Sequence, residues 1–155
     1  MLIRIAQESD LPELVTLFRQ TILMNAPQHY TPEQTEAWAS SALDLEHFRH
    51  FIFCGTTYLV VGETGILGFA GIEETGHVLS VYVRHDCLHQ GIGSALMQVL
   101  LDHADRHKMQ RLYAEASEFS LGLFKKFGFR LYDTEIVDRQ GVRFERYLVE
   151  KLRSV

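Results

Sequence analysis

Between the apolar run Val81-Tyr82-Val83 and an amphipathic run that starts near Ile92, the chain carries Gln90-Gly91-Ile92-Gly93-Ser94. Glycines at two of these positions strip side-chain cover from a backbone stretch that feeds a helix. The first N–H groups of a helix have no intrahelical partner and lie at the positive end of its dipole. The turn therefore predicts an anion cradle that needs neither a metal nor a basic side chain. It also constrains topology. Strand, glycine turn, long helix and following strand make a βαβ unit, so strands at 77–83 and 111–116 are expected to be parallel neighbours. G-x-G alone is a weak signal, because glycines also serve tight turns and close helix packing. The flanks decide.

Leu2 to Ala6 reads as a short strand. Asp10 and Glu13 have capping-box spacing with Pro12 in the first turn, and Leu11, Leu14, Val15, Phe18 and Ile22 supply a helical stripe to about Met24. Thr31-Pro32-Glu33-Gln34 repeats the start signature, and Tyr30, Gln34 and Trp38 then recur at helical spacing on one side of a short helix. A further helix is expected from Asp44 to about Ile52. From Thr57 the period becomes strand-like, with three antiparallel strands at 58–61, 66–72 and 77–83 joined by short turns. Ile92, Ala95, Leu96, Val99, Leu100 and Ala104 stripe the long helix. A strand at 111–116, a short helix at 120–127 stopped by Gly128, and two strands pairing across Arg139-Gln140-Gly141 complete the chain. The fold class is mixed-layer α/β (α+β), a mostly antiparallel sheet of about seven strands with one central parallel pair and flanking helices. All 155 residues fit one domain, 1–155, large enough to bury a full core.

Fifteen basic against twenty acidic residues give a net charge of −5 with no basic stripe to follow a phosphate backbone, so nucleic acid is not expected as a partner. Cys54 and Cys87, the only two cysteines, lie in dissimilar contexts without metal or redox spacing, as suits a reducing compartment. No apolar stretch approaches the ~20 residues of a membrane span, so a soluble, cytoplasmic protein without membrane association is expected.

Val81-Tyr82-Val83, Gln90-Gly91-Ile92-Gly93-Ser94-Ala95-Leu96, Glu115-Ala116-Ser117 and Phe124-Lys125-Lys126-Phe127-Gly128-Phe129 follow one another in an order that resembles the GNAT superfamily of acyl-CoA-dependent N-acyltransferases. The resemblance covers essentially residues 1–152. It implies the GNAT fold and acetyl-CoA as co-substrate, with the pantetheine arm along Val81, Tyr82 and Val83. The pyrophosphate would lie over Leu88, His89, Gln90, Gly91, Ile92, Gly93 and Ser94. Ser117 replaces an Asn that commonly contacts the cofactor, and Phe124 replaces the Tyr often assigned to protonate the departing thiolate. Leu88 and His89 also depart from the family pattern. Backbone donors survive that change, so CoA binding is expected to be weakened rather than absent. The activity implied is transfer of an acetyl group to a primary amine of a small molecule or peptide, by direct attack in a ternary complex. Leu88 and Phe124 keep a second reading open, a non-catalytic acyl-CoA-binding or sensing module. A third, a site for another nucleotide, lacks the G-x-x-x-x-G-K-[ST] lysine and hydroxyl of an NTPase.

Aminolysis of a thioester needs a neutral amine, a polarised carbonyl and a stabilised thiolate. Backbone N–H groups near Val81 and Tyr82 are placed to polarise the carbonyl, and a thiolate of pKa ~8.5 departs without a dedicated acid. His77 is the candidate base, at the entrance to the strand that should line the cleft and with an ordinary pKa of ~6.5. The resemblance puts it where some family members carry a glutamate base; an exposed histidine after Gly76 also needs no role. Glu115 and Ser117 share one face of their strand, and Glu115 can bind an ammonium or act as base through water. Tyr30, Gln34 and Trp38 fall in the insertion that covers the acceptor side in the family, where an aromatic wall suits an apolar or cationic acceptor. His103 with His107 and His47 with His50 have helical ligand spacing but no third ligand, so no metal is expected. Cys87 reads as a small turn residue. Polyamine, antibiotic, amino acid and protein N-terminus all stay open as acceptors, and pairing through the final strands is a route to a homodimer.

Overall fold

The computed structural model describes residues 1–153. β1 (Leu2–Ile5), β2 (Thr56–Gly62), β3 (Gly65–Ile72) and β4 (Val78–Val83) form an antiparallel sheet in the order β1-β2-β3-β4. The turns between β2, β3 and β4 are too short for a parallel crossover. β3 is buried on both faces after its first residue, because helices cover the sheet on each side. One apolar cluster joins Val60, Ala70 and Ile72 to Leu96, Met97 and Leu100 of α4 (Ile92–Arg106). The other joins Leu59 and Phe69 to Leu14, Phe18 and Ile22 of α1 (Leu11–Asn25) and to Phe48 and Ile52 beyond it. Each fully buried Leu, Ile or Phe here contributes about 1.5–3 kcal/mol of burial.

Two helix starts follow the sequence signals. Thr31 Oγ1 accepts the Gln34 N–H at 3.1 Å, while Gln34 Oε1 accepts the Thr31 N–H at 2.9 Å, opening α2 (Pro32–Ser40). Asp44 caps α3 (Leu45–Phe53) through the His47 N–H. The Asp10–Glu13 box does not form. Both Asp10 oxygens take the Arg4 guanidinium at 2.8 Å, and one also accepts the Gln7 N–H at 2.7 Å, so a short 3₁₀ turn over Glu8–Asp10 precedes α1. A bidentate, charge-assisted pair outbids a single capping bond. Glu13 instead accepts the Ile66 N–H at 2.6 Å and ties α1 to the start of β3.

β5 (Arg111–Ala116), α5 (Leu121–Lys126), β6 (Arg130–Arg139) and β7 (Val142–Leu152) make the second half, with strand order β5-β7-β6 and all pairing antiparallel. The seven strands thus fall into sheets of four and three rather than one continuous sheet. The expected parallel pair survives as a single bridge, His77 to Tyr113, with the Tyr113 N–H donating to the Gly76 carbonyl at 3.1 Å. Gly76 makes the approach possible. Its φ is +93°, and a Cβ there would stand 2.0 Å from the Arg111 carbonyl oxygen. Past this point β4 and β5 diverge, and the second edge of β4 opens onto a cleft. Among the described residues no helix is long and apolar enough to cross a membrane.

Gly76→Ala should therefore cost about 3 kcal/mol or more, combining left-handed strain with displacement of the β5 backbone. Gly141, also at positive φ (+78°) but with open space where its Cβ would go, is the control. Gly141→Ala should cost only the strain, about 1–2 kcal/mol. Urea unfolding of both variants reads the difference, and equal losses would show that the junction has room to spare.

Candidate active site

The divergence of β4 from β5 leaves a cleft of about 730 Å³, lined by Val81, Val83, Leu88, His89, Ser117 and Phe124 toward α4 and by His77, Glu115, Tyr30, Trp38 and Tyr82 at the other end. Backbone direction follows from register. Arg84 donates its N–H to Leu67 on the β3 side, so by alternation Tyr82 also turns its peptide groups to β3 while Val81 and Val83 turn theirs to the splay. The Val83 carbonyl already accepts from Thr21 Oγ1 at 2.9 Å. Among the described residues no hydrogen bond claims the outward backbone groups of Val81, and Tyr82 contributes its side chain.

Gln90, Gly91, Ile92, Gly93 and Ser94 are not on the cleft wall; they form the turn and first residues of α4 beside His89. Gly91, at φ +84°, is the N-cap, no side chain caps the helix, and nothing lies within 4 Å of where its Cβ would be. The cradle expected from the sequence is therefore an open helix start. Ile92 is buried and offers only backbone. Lys126, which the sequence reading passed over, donates to Ser94 Oγ at 2.9 Å and brings a cation to the first turn of α4.

Phe124 is buried edge-to-face against Phe129, with ring centroids 5.0 Å apart, and presents an apolar wall. The Ser117 hydroxyl closes the turn from β5 to α5, accepting the Phe119 and Ser120 N–H groups at 3.2 Å. Cys87 is buried against Arg84. His103 shares its Nδ1 with the Tyr58 hydroxyl at 2.8 Å and stacks on His107, so that pair packs α4 on β2.

At the far end the single parallel bridge sets His77 beside Glu115. His77 Nε2 lies 2.9 and 3.0 Å from the two Glu115 oxygens, Nδ1 lies 3.1 Å from Glu73, and the ring stacks on Tyr113 at 4.8 Å. With both nitrogens facing carboxylates, the doubly protonated ring fits best. The Glu115 hydrogen bond, opposed by partial burial and helped by the Glu115 and Glu73 charges, raises the His77 pKa above its ordinary value. For Glu115, burial pushes up, but the His77 bond and the positive charges of His77, Arg146 and Arg139 outweigh it, so its carboxyl lies below the usual range.

The end of the cleft expected from the sequence to face an acceptor holds more aromatic rings than Tyr30 and Trp38. Tyr30 packs edge-on to Trp38 (5.3 Å), and Phe119 and Phe144 lie 5.9 and 6.2 Å from the Tyr30 ring. Tyr30 also accepts the Glu118 N–H at 3.1 Å, and burial raises its phenol pKa. Tyr82 stacks on Phe69, its hydroxyl accepts from Trp38 Nε1 at 3.3 Å, and desolvation pushes its pKa to about 12. Gln34 does not join this group, since its amide is spent on the α2 cap and on the Arg143 carbonyl. Glu73, Phe119, Arg139, Phe144 and Arg146 were not singled out from the sequence. The strand alternation that puts Phe144 and Arg146 on one face was readable; which face meets the cleft was not.

The model of the acetyltransferase (GNAT) domain family matches residues 26–151. The chain belongs to the GNAT acetyltransferase family and is an acyltransferase of the N-acetyltransferase type. It is 25% identical over 146 residues to the uncharacterized N-acetyltransferase YafP of Escherichia coli (strain K12), covering 94% of this chain and 91% of that protein. Its fold superposes on a GCN5-related N-acetyltransferase from Rhodopseudomonas palustris with a TM-score of 0.93 at 24% identity, covering 98% of this chain and 95% of the other. The PaiA N-acetyltransferase of Thermoplasma acidophilum, solved with coenzyme A, gives a TM-score of 0.78 at 17% identity, covering 99% of this chain and 100% of that one.

A raised His77 pKa means that the folded state binds its proton more tightly than the unfolded chain does. Its stabilising contribution is fully present below about pH 6.5 and is lost as pH rises through the raised value. Denaturation of wild type and His77→Gln should accordingly show the largest gap near pH 6 and a shrinking gap toward pH 9. A gap independent of pH would mean that folding leaves the His77 pKa unshifted, and a gap growing with pH that the ring folds neutral.

Proposed function

We propose that this acyltransferase moves an acetyl group from acetyl-CoA to a primary amine of a small molecule or peptide, both bound in the one cleft. The observation that carries the reading is the continuity of that cleft. It runs from the open edge of β4 and from Leu88 and His89, just ahead of the start of α4, to the Glu115–His77 pair, so the donor and acceptor sites read here meet without a barrier. The residues present fit a CoA thioester. Val81 offers unpaired strand backbone to an amide-bearing arm, and the N–H groups after Gly91 with Lys126 offer charge to a pyrophosphate. The thioester supplies an activated acyl carbon, and the rest is done by side chains.

An amine arrives mostly as ammonium, which the Glu115 carboxylate attracts. Before the nitrogen can attack, it must lose a proton. His77, once it has lost its own, is the acceptor; Glu73 and Glu115 fix its ring and make it a stronger base than free imidazole. Attack forms the N–C bond, the C–S bond breaks with its electron pair on sulfur, and the proton reaches the thiolate from water or from the amine. Thiols near pKa ~8.5 leave without a dedicated acid, which suits the apolar Phe124. That same Phe124 supports the second reading, an acyl-CoA-binding module without turnover.

Calorimetric titration with CoA and acetyl-CoA, followed by an amine panel with free-thiol detection, separates the possibilities. Binding with amine-dependent thiol release is expected; binding without release would favour the module, and no binding would reject both. Gly91→Asp should lower CoA affinity at least about tenfold, since it sets a carboxylate at the anion cradle. In wild type, kcat/KM should rise with pH through an apparent pKa above the ordinary ~6.5 of histidine. His77→Gln should lower the plateau by about 10²-fold or more while leaving CoA affinity within about twofold. An unchanged plateau would remove His77 from the chemistry.

A further inference from the structure

At the acceptor end one cation stands outside the ion pairs of the described residues. His77 is matched by Glu73 and Glu115. Arg146 is held by Glu135 and lies 4.0 Å from Glu115. Arg139 also lines the cleft, yet among the described residues no carboxylate stands within ion-pair distance of it. Its placement is built by the β6–β7 hairpin. Glu135 pairs with Arg146, Val137 with Phe144 and Arg139 with Val142, so alternation sets Arg139 on the same hairpin face as Phe144 and Arg146. From there its charge opposes part of the burial-driven rise at Tyr82 and adds a small part to the lowering at Glu115.

We propose that Arg139 is a specificity residue that anchors a carboxylate on the acceptor, so that the preferred substrate is an amino acid with an aromatic or large apolar side chain. This rests on the acetyl-transfer reading above and narrows it. The three parts of such a molecule have three matching surfaces. The ammonium meets Glu115 beside His77, the side chain packs among Tyr30, Trp38 and Phe144, and the carboxylate meets the guanidinium fork, whose planar donors match its two oxygens. A polyamine, by contrast, would bring a second cation toward Arg139. A phosphorylated amine would set two negative charges against one guanidinium with Glu118 and Glu145 also on the wall. A monoanion is the better match.

The test compares matched pairs differing only in the anion. Phenethylamine is set against phenylalanine and against homologues with the carboxylate moved one or two carbons further from the nitrogen, in wild type, Arg139→Gln and Arg139→Lys. Thiol release gives kcat/KM, and quenching of Trp38, the single tryptophan of the chain, gives binding without chemistry. At least one acid should exceed phenethylamine in kcat/KM by about ten- to a hundredfold in wild type. Arg139→Gln should erase that advantage through KM and change phenethylamine far less than the acid, with Arg139→Lys recovering part of the advantage. No acid preferred, or equal loss for acid and amine in Arg139→Gln, would overturn the proposal. If thiol release fails with every amine but Trp38 still reports Arg139-dependent binding of the acids, acetyl transfer is refuted and the carboxylate site stands.

Discussion

A single close backbone contact organises the molecule. Where Gly76 meets Arg111 and Tyr113, two sheets touch through one parallel bridge and one N–H···O bond, and everything distal to that point is held apart. A longer parallel ladder would have closed the cleft and spent the outward backbone of β4 on β5. No contact at all would have separated His77 from Glu115. The chemistry of the site therefore depends on a spacing that only a residue without a side chain permits.

The same contact determines the electrostatics. His77 and Glu115 come from strands of different sheets, and their hydrogen bonds are strong because both groups are half-buried when they meet. Pairing an imidazole between two carboxylates raises its basicity but also its resting charge. An imidazole arranged in this way trades population of its neutral form at neutral pH for proton affinity once deprotonated. The stacked Tyr113 ring keeps the imidazole in the plane where both carboxylates reach it.

Much of the fold was legible because its signals are local. The Thr31/Gln34 box, the Asp44 cap, the glycine turn before α4 and the hairpin at Gln140-Gly141 each state a backbone geometry within a few residues. Asp10 misled because its competitor, Arg4, approaches from a neighbouring strand rather than from the helix it was expected to cap. The extent of the β4–β5 pairing was invisible for a similar reason, since a βαβ unit fixes handedness and adjacency but not how far two strands stay together. At the site, His77, Glu115, Tyr30 and Trp38 were found by position relative to strands and caps. Gln34 was lost to its own cap. Phe119 sits in a connection with no period to betray it, and Arg139 faces the cleft only by virtue of how the last hairpin folds over.

That hairpin has a consequence for how the protein comes into being. In the order β5-β7-β6, the middle strand is the last of the three along the chain. During synthesis β5 and β6 must wait, unpaired, until β7 has emerged to lie between them, while the β1–β4 sheet can already be complete. The nascent polypeptide thus exposes strand edges late rather than early, and its vulnerability to mispairing is concentrated in the interval before β7 emerges. One wall of the cleft is absent throughout that interval. A complete cleft is accordingly something that this chain acquires only once β7 has been made, long after half of its architecture can stand.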